Sequence, residues 1–348
     1  MAPKRGPVLA TLGAPAAALF GLAVARRNAR YDRGVGVTRA PMPVVCVGNL
    51  TVGGVGKSPM VRWVVGRLQQ AGHAPAIVLR GFGARAGVSD EAEEHRALTP
   101  GVPVVVNPDR AAAVRELADR PAAERPSCVV LDDGFQHRRL ARDLDVVLID
   151  ARRNPWRDRL LPAGRLREPP ASLARAGVVV LTHTDRAGPD DLAEIERRVA
   201  RAAPGVPIAR SRHAWARLVV EARDGAELAE SVEWLSGRRV FVACGIGSPG
   251  QFMERVRAAG AHVVGTLAVR DHAPFPRGRL ARAVRDAGAD AIVSTLKDRP
   301  RLREALPARG WARIVYPVVE TDVFAGADAL ERAILTAAGP APGREPPR

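Results

Sequence analysis

Apolar residues in this chain come in short β-branched runs, separated by segments of helical length. Val44 to Val47, Ala76 to Leu79, Val102 to Val106, Ser127 to Leu131, Leu144 to Ile149 and Gly177 to Leu181 are continuous rather than alternating in hydrophobicity, which predicts strands covered on both faces. Such strands, spaced by amphipathic segments, predict an α/β fold with a parallel sheet flanked by helices. From Pro207 to about Arg239 the periodicity weakens around a possible two-stranded connection at Leu218 to Ala222. The alternation then resumes on a smaller scale, with strands at Val240 to Cys244, His262 to Leu267 and Ala291 to Ser294 and helices ending at Ala259 and Ala287. The expected organisation is an N-terminal helix over 1–30, a larger α/β domain over 31–215, a linker over 216–238, a smaller α/β domain over 239–338 and a disordered Pro- and Gly-bearing tail over 339–348. A chain of 348 residues exceeds the size at which one core keeps growing, in keeping with two domains.

The run at Val44 leads into Gly48-Asn-Leu-Thr-Val-Gly-Gly-Val-Gly-Lys-Ser-Pro59, which reads as a phosphate-binding loop. Thr51, Val52, Gly53, Gly54, Val55 and Gly56 form a flexible turn whose backbone N–H groups can face one anion; Lys57 adds a charge. Ser58 places a hydroxyl where a phosphate-bound Mg²⁺ would sit, and Pro59 is tolerated in the first turn of a helix expected from about Met60 to Ala71. Thr51 stands where the strict pattern has its first glycine. The fold class expected is therefore a P-loop NTPase-like parallel sheet with a second, smaller α/β domain.

In parallel sheets ligands collect at the carboxyl ends of strands. The Ser127 run ends in Asp132-Asp133-Gly-Phe-Gln136-His137, about seventy positions beyond the P-loop, as a Walker B strand would; either carboxylate could hold Mg²⁺ opposite Ser58. Leu161 to Glu168 is a loop with guanidiniums at Arg165 and Arg167 and a carboxylate at Glu168, a composition suited to phosphate. Thr182-His183-Thr184-Asp185 carries His183 where a nucleobase-reading loop has lysine, and reads as a strand-end turn. The Gly245-x-Gly247 turn is too short for a dinucleotide fingerprint.

Composition changes the picture in two places. A net charge of +16 favours anionic partners, but the arginines are dispersed and the aromatics few, so no nucleic-acid partner is expected. Val8 to Ala25 is apolar, broken by Gly13, Pro15 and Gly21, and bracketed by Lys4, Arg5, Arg26, Arg27, Arg30 and Arg33. It is too short and broken for a firm membrane span, and no A-x-A cleavage site follows it. Two readings stay open: a helix resting on an anionic membrane surface, or one packed on the sheet. Cys46, Cys128 and Cys244 sit in apparent strands away from metal-ligand spacing and read as reduced core residues.

The chain resembles the tetraacyldisaccharide 4'-kinase family over most of its length. The likeness rests on the P-loop with its Thr51, on Arg80-Gly81-Phe82-Gly83, Ser89-Asp90-Glu91, Asp132 to His137, Leu161 to Glu168, Asp271-His272 and Lys297-Asp298. It implies ATP- and Mg²⁺-dependent phosphorylation of the 4'-hydroxyl of tetraacyldisaccharide 1-phosphate, giving lipid IVA, at the cytoplasmic face of an inner membrane, with the N-terminal helix as peripheral attachment or anchor. It also implies Asp90 as general base, helped by His272 from the smaller domain. Arg80, Gln136, His137, Arg165 and Glu168 would bind substrate. Departures are Ser89, Ala273 and Leu296, where glycine, histidine and glutamate are usual. The competing class is a switch ATPase of the partitioning or metallochaperone type, which carries a signature lysine where Val52 stands.

Overall fold

A computed structural model describes residues 7–81, 89–222, 225–270, 273–306 and 313–341, with side chains from 14 onward. Along the chain run α1 (Pro7–Asp32), β1 (Val44–Asn49), α2 (Lys57–Gln70), β2 (Pro75–Leu79), α3 (Asp90–Leu98), β3 (Val104–Val106), α4 (Arg110–Ala118), β4 (Cys128–Asp132), β5 (Leu144–Asp150), β6 (Val178–Thr182), α5 (Pro189–Ala202) and β7 (Ile208–Glu221). There follow β8 (Glu227–Glu230), β9 (Arg239–Cys244), α6 (Pro249–Ala258), β10 (His262–Ala268), α7 (Arg279–Asp286), β11 (Ala291–Val293), α8 (Arg299–Ala305), β12 (Arg313–Ala325) and α9 (Ala327–Ala338). They gather into two compact units.

The first unit comprises residues 1–81, 95–213 and 321–348. Its sheet has the order β3-β2-β4-β1-β5-β6-β7, every neighbouring pair parallel. β1, β2, β4, β5 and β6 are buried along their whole lengths, which is why their sequences read as unbroken apolar runs. Val47 lies opposite Asp132 in the β1–β4 pairing, so the loop after β1 and the aspartates at the end of β4 emerge side by side. Gly48 makes that closeness possible: a Cβ there would lie 2.5 Å from Phe135 Cβ and 2.8 Å from its backbone nitrogen.

The second unit comprises residues 82–94 and 214–320, with a parallel sheet ordered β10-β9-β11-β12. Its core joins Leu218 and Val220 of β7 to Val240, Val242, Val293 and Val315. Three features depart from the sequence reading. The segment expected as a linker, 216–238, is the second half of β7 with its antiparallel partner β8, and it helps build this unit's core. The chain returns to the first unit from Thr321, where α9 packs on α2. Finally, Asp90 falls in the second unit rather than with the P-loop. Apolar periodicity locates strands but not their partners, so none of these assignments could be read from it.

α1 is packed on the first unit through its C-terminal half, where Val24 is buried, while Leu19 and Leu22 are exposed. No described helix is long and apolar enough to cross a membrane. All three cysteines are buried and free, and burial raises the thiol pKa values, to about 11 for Cys128 and about 12 for Cys244.

Gly48→Ala is expected to destabilise the first unit by about 1–3 kcal/mol, because the methyl group must displace backbone as well as side chain. Thermal unfolding of the purified variant checks this; an unchanged midpoint would mean that the Phe135 turn yields freely.

Candidate nucleotide site

The loop between β1 and α2 turns through Gly53 (φ 111°) and Gly56 (φ 91°), both in the region that favours glycine. α2 opens at Lys57, with Ser58 buried in its first turn, so its unpaired N–H groups line the loop. Thr51, Val52, Gly53, Gly54 and Val55 line one side of an open cleft whose other side is Asp150, Arg153, Asp158 and Arg165.

The two aspartates at the end of β4 differ sharply. Asp132 is buried; its Oδ2 lies 2.9 Å from His95 Nε2, while its Oδ1 has no hydrogen-bond partner among the described residues. Asp133 has φ 56° and receives two hydrogen bonds from Arg167, at 2.9 and 2.8 Å, with Lys57 Nζ 3.7 Å away. Burial alone would raise the Asp133 pKa, but Lys57 and Arg167 outweigh it and hold the carboxyl below its usual range. Arg167 also donates to Asn49 at the end of β1, and Gln136 donates to the Asn49 carbonyl at 2.9 Å.

The back of the loop is braced by the ends of neighbouring strands. Thr182 Oγ1 donates to the Val55 carbonyl at 2.9 Å. His183, at φ 56°, has Nδ1 3.4 Å from Asp150 Oδ1 and stacks edge-on against His213 with ring centroids 4.4 Å apart. The His213 ring occupies the space a Cβ on Gly56 would need, at 2.3 Å. Gly56 is thus fixed twice, by its φ and by an imidazole.

The residues expected from sequence sort as follows. Thr51 to Ser58, Asp132, Asp133 and Arg165 gather around the loop in the first unit. Arg80 is exposed in the same unit. Glu168 is fully buried and bound by Arg27, Asn28 and Arg175, an ionic cluster that fastens α1. His137 keeps a buried, unpartnered Nε2, and its pKa is lowered to about 4 by burial and then by Arg110. In the second unit, Asp90 lies 3.6 Å from Arg301, which also binds the fully buried Asp298, and Glu91 lies 3.9 Å from Lys297. The Ser89-Asp90-Glu91 and Lys297-Asp298 motifs therefore meet there. His272 and Phe82 lie outside the described residues.

Sequence reasoning passed over His95, Arg110 and His213, and read His183 only as part of a strand-end turn. Arg110 is a buried guanidinium opening α4, with its Nε unpartnered; burial and then Arg80 lower its pKa, against Asp133 and Asp132, which raise it. It follows β3 closely, so inspecting that strand end would have found it. His213 carries no such signal, being mid-strand.

Because the folded pKa of His137 lies below that of a free imidazole, about 6.5, its contribution to stability is present above pH 6.5 and is lost as pH falls toward about 4. His137→Gln should flatten the decline of the unfolding midpoint across that window; parallel profiles for the two proteins would refute the assignment.

The sequence pattern of the family described as LpxK, tetraacyldisaccharide-1-P 4'-kinase, matches residues 9–338. A relative from Anaeromyxobacter sp. (strain K), a tetraacyldisaccharide 4'-kinase, is 43% identical over 99% of this chain and 95% of its own. One of the same name from Chlorobium luteolum is 38% identical over 83% of this chain and 85% of its own. The crystal structure of LpxK from Aquifex aeolicus in complex with ATP superimposes with a TM-score of 0.74 at 25% identity, covering 95% of this chain and 100% of that one. With its phosphate loop, its paired aspartates and a match spanning both units, the chain belongs to the tetraacyldisaccharide 4'-kinase family.

Proposed function

We propose that this protein transfers the γ-phosphoryl group of ATP to the 4'-hydroxyl of tetraacyldisaccharide 1-phosphate, giving lipid IVA. The observation that carries the reading is the convergence of Lys57, Ser58, Asp132 and Asp133 at the ends of adjacent parallel strands, in a chain matched to the family nearly end to end.

The loop N–H groups and the start of α2 cradle the phosphates, and Lys57 supplies a positive charge to them. Asp133, kept ionised, orients Lys57 and Arg167. Mg²⁺ would be held by Ser58 and Asp132, whose buried, unpartnered Oδ1 fits a ligand to a hard cation better than the oxygens of Asp133 do, since Arg167 engages those. When bound, the ion supplies neutralisation of charge on the β- and γ-phosphates. Asp90 is the candidate base for the sugar hydroxyl, and Arg301 lies 3.6 Å from it. Arg80, Gln136 and His137 are candidates for holding the disaccharide.

We place this work at the cytoplasmic face of a membrane. α1 presents Leu19 and Leu22 to solvent with Arg26, Arg30 and Arg33 exposed beyond them, a combination suited to an anionic lipid surface.

The purified chain should phosphorylate the lipid acceptor in the presence of ATP, and Asp90→Asn should lower turnover by about 10²–10⁴-fold while leaving nucleotide binding intact. ATP hydrolysis indifferent to the lipid would favour a switch ATPase instead. Replacing Leu19 and Leu22 by serine should weaken sedimentation with anionic vesicles; equal sedimentation would assign those leucines no membrane role.

A further inference from the structure

Several arginines around the loop are committed to carboxylates, and Arg165 is not. Arg167 is committed to Asp133, Arg152 to Asp150, and Arg27 and Arg175 to Glu168. Among the described residues Arg165 has no carboxylate partner; its Nη2 reaches only the neutral carbonyl of Val52, at 3.3 Å. A half-buried guanidinium left with so weak an acceptor is arranged for an anion that arrives.

Its position is set by a rigid backbone. Val52 N–H donates to the Arg165 carbonyl at 2.8 Å, Arg167 N–H to the Leu50 carbonyl at 2.7 Å, and Thr51 bridges Leu166 antiparallel. From the other side Asp158 accepts from the Arg165 N–H at 3.2 Å. Gly164 allows the turn, since a Cβ there would lie 2.2 Å from the Arg159 carbonyl. The strap runs beside the residues that enter the phosphate loop and delivers the guanidinium onto Gly53, where a Cβ would come within 2.6 Å of Nη2. Gly53 lies four residues before Lys57, in the turn that wraps the terminal phosphates.

We propose that Arg165 is an arginine finger supplied in cis, acting on the γ-phosphoryl group during transfer; this rests on the kinase reading above. In that step the bond from the γ-phosphorus to the β–γ bridging oxygen breaks, and its electron pair leaves on ADP. A bond from the sugar 4'-oxygen to the γ-phosphorus forms, and the hydroxyl proton passes to the base. Arg165 exchanges no proton. Its fixed charge meets the phosphoryl oxygens, where negative charge is redistributed in the transition state, so its contribution falls on kcat rather than on binding.

The test compares parent, Arg165→Ala, Arg165→Gln and Arg165→Lys in lipid phosphorylation, ATP affinity and thermal unfolding. A finger predicts a kcat loss of about 10³-fold or more in the Ala and Gln variants. ATP affinity and lipid KM should stay within about threefold of the parent values. Lysine should recover little, lacking the fork, and added guanidinium ion should restore part of the Ala variant's kcat. A raised lipid KM with kcat retained would overturn the proposal and make Arg165 a ligand of the acceptor's phosphate. A lowered unfolding midpoint with kcat retained would overturn it in favour of a structural strap. A parent inactive on the lipid would instead be a failure of the kinase reading.

Discussion

The close approach of β1 to the turn after β4 governs the first unit. Because Gly48 has no side chain, Phe135 backs directly onto β1, and the Val47–Asp132 register brings phosphate loop and aspartates out together. Everything the site does with charge depends on that spacing: Lys57 reaches Asp133, Arg167 spans from Asp133 to Asn49, and Gln136 ties the turn back to β1. A wider sheet gap would separate the loop from its carboxylates without unfolding either.

Charge in this unit is placed in two layers. The inner layer carries groups with oxygens or donors left over, such as Asp132 Oδ1 and the Arg165 guanidinium. Behind it lie fully satisfied groups, Glu168 with its three partners and Asp150 with Arg152 and His183. The side-chain hydrogen bonds from His183 and Arg152 overcome burial and drive the Asp150 pKa far down, so Asp150 stays ionised behind the groups that can meet ligands.

The fold class and the loop were legible in the sequence because continuous apolar runs and a glycine-rich turn are local signals. Asp132, Asp133 and Arg165 were legible as strand-end and loop chemistry. Glu168 was not: a carboxylate after two arginines looks exposed until the chain is folded and Arg27, 141 positions away, is found beside it. Asp90 was assigned to the wrong unit for a similar reason, since sequence order does not say that 89–94 groups with residues after 213. His213 was invisible, because its role is to fill space vacated by a glycine in another element.

The fastening of α1 bears on how the protein can be shortened. Its last turns are held by Glu168 reaching Arg27 and Asn28, and by Arg138 reaching Asp32 and the Asn28 carbonyl. A version trimmed for handling in water should lose the exposed leucines but keep the helix from about Ala23 onward. Cutting at its end would strip a fully buried carboxylate of two of its partners, a fault that can cost about 3–5 kcal/mol. The helix is a membrane candidate at one end and a structural part of the kinase at the other.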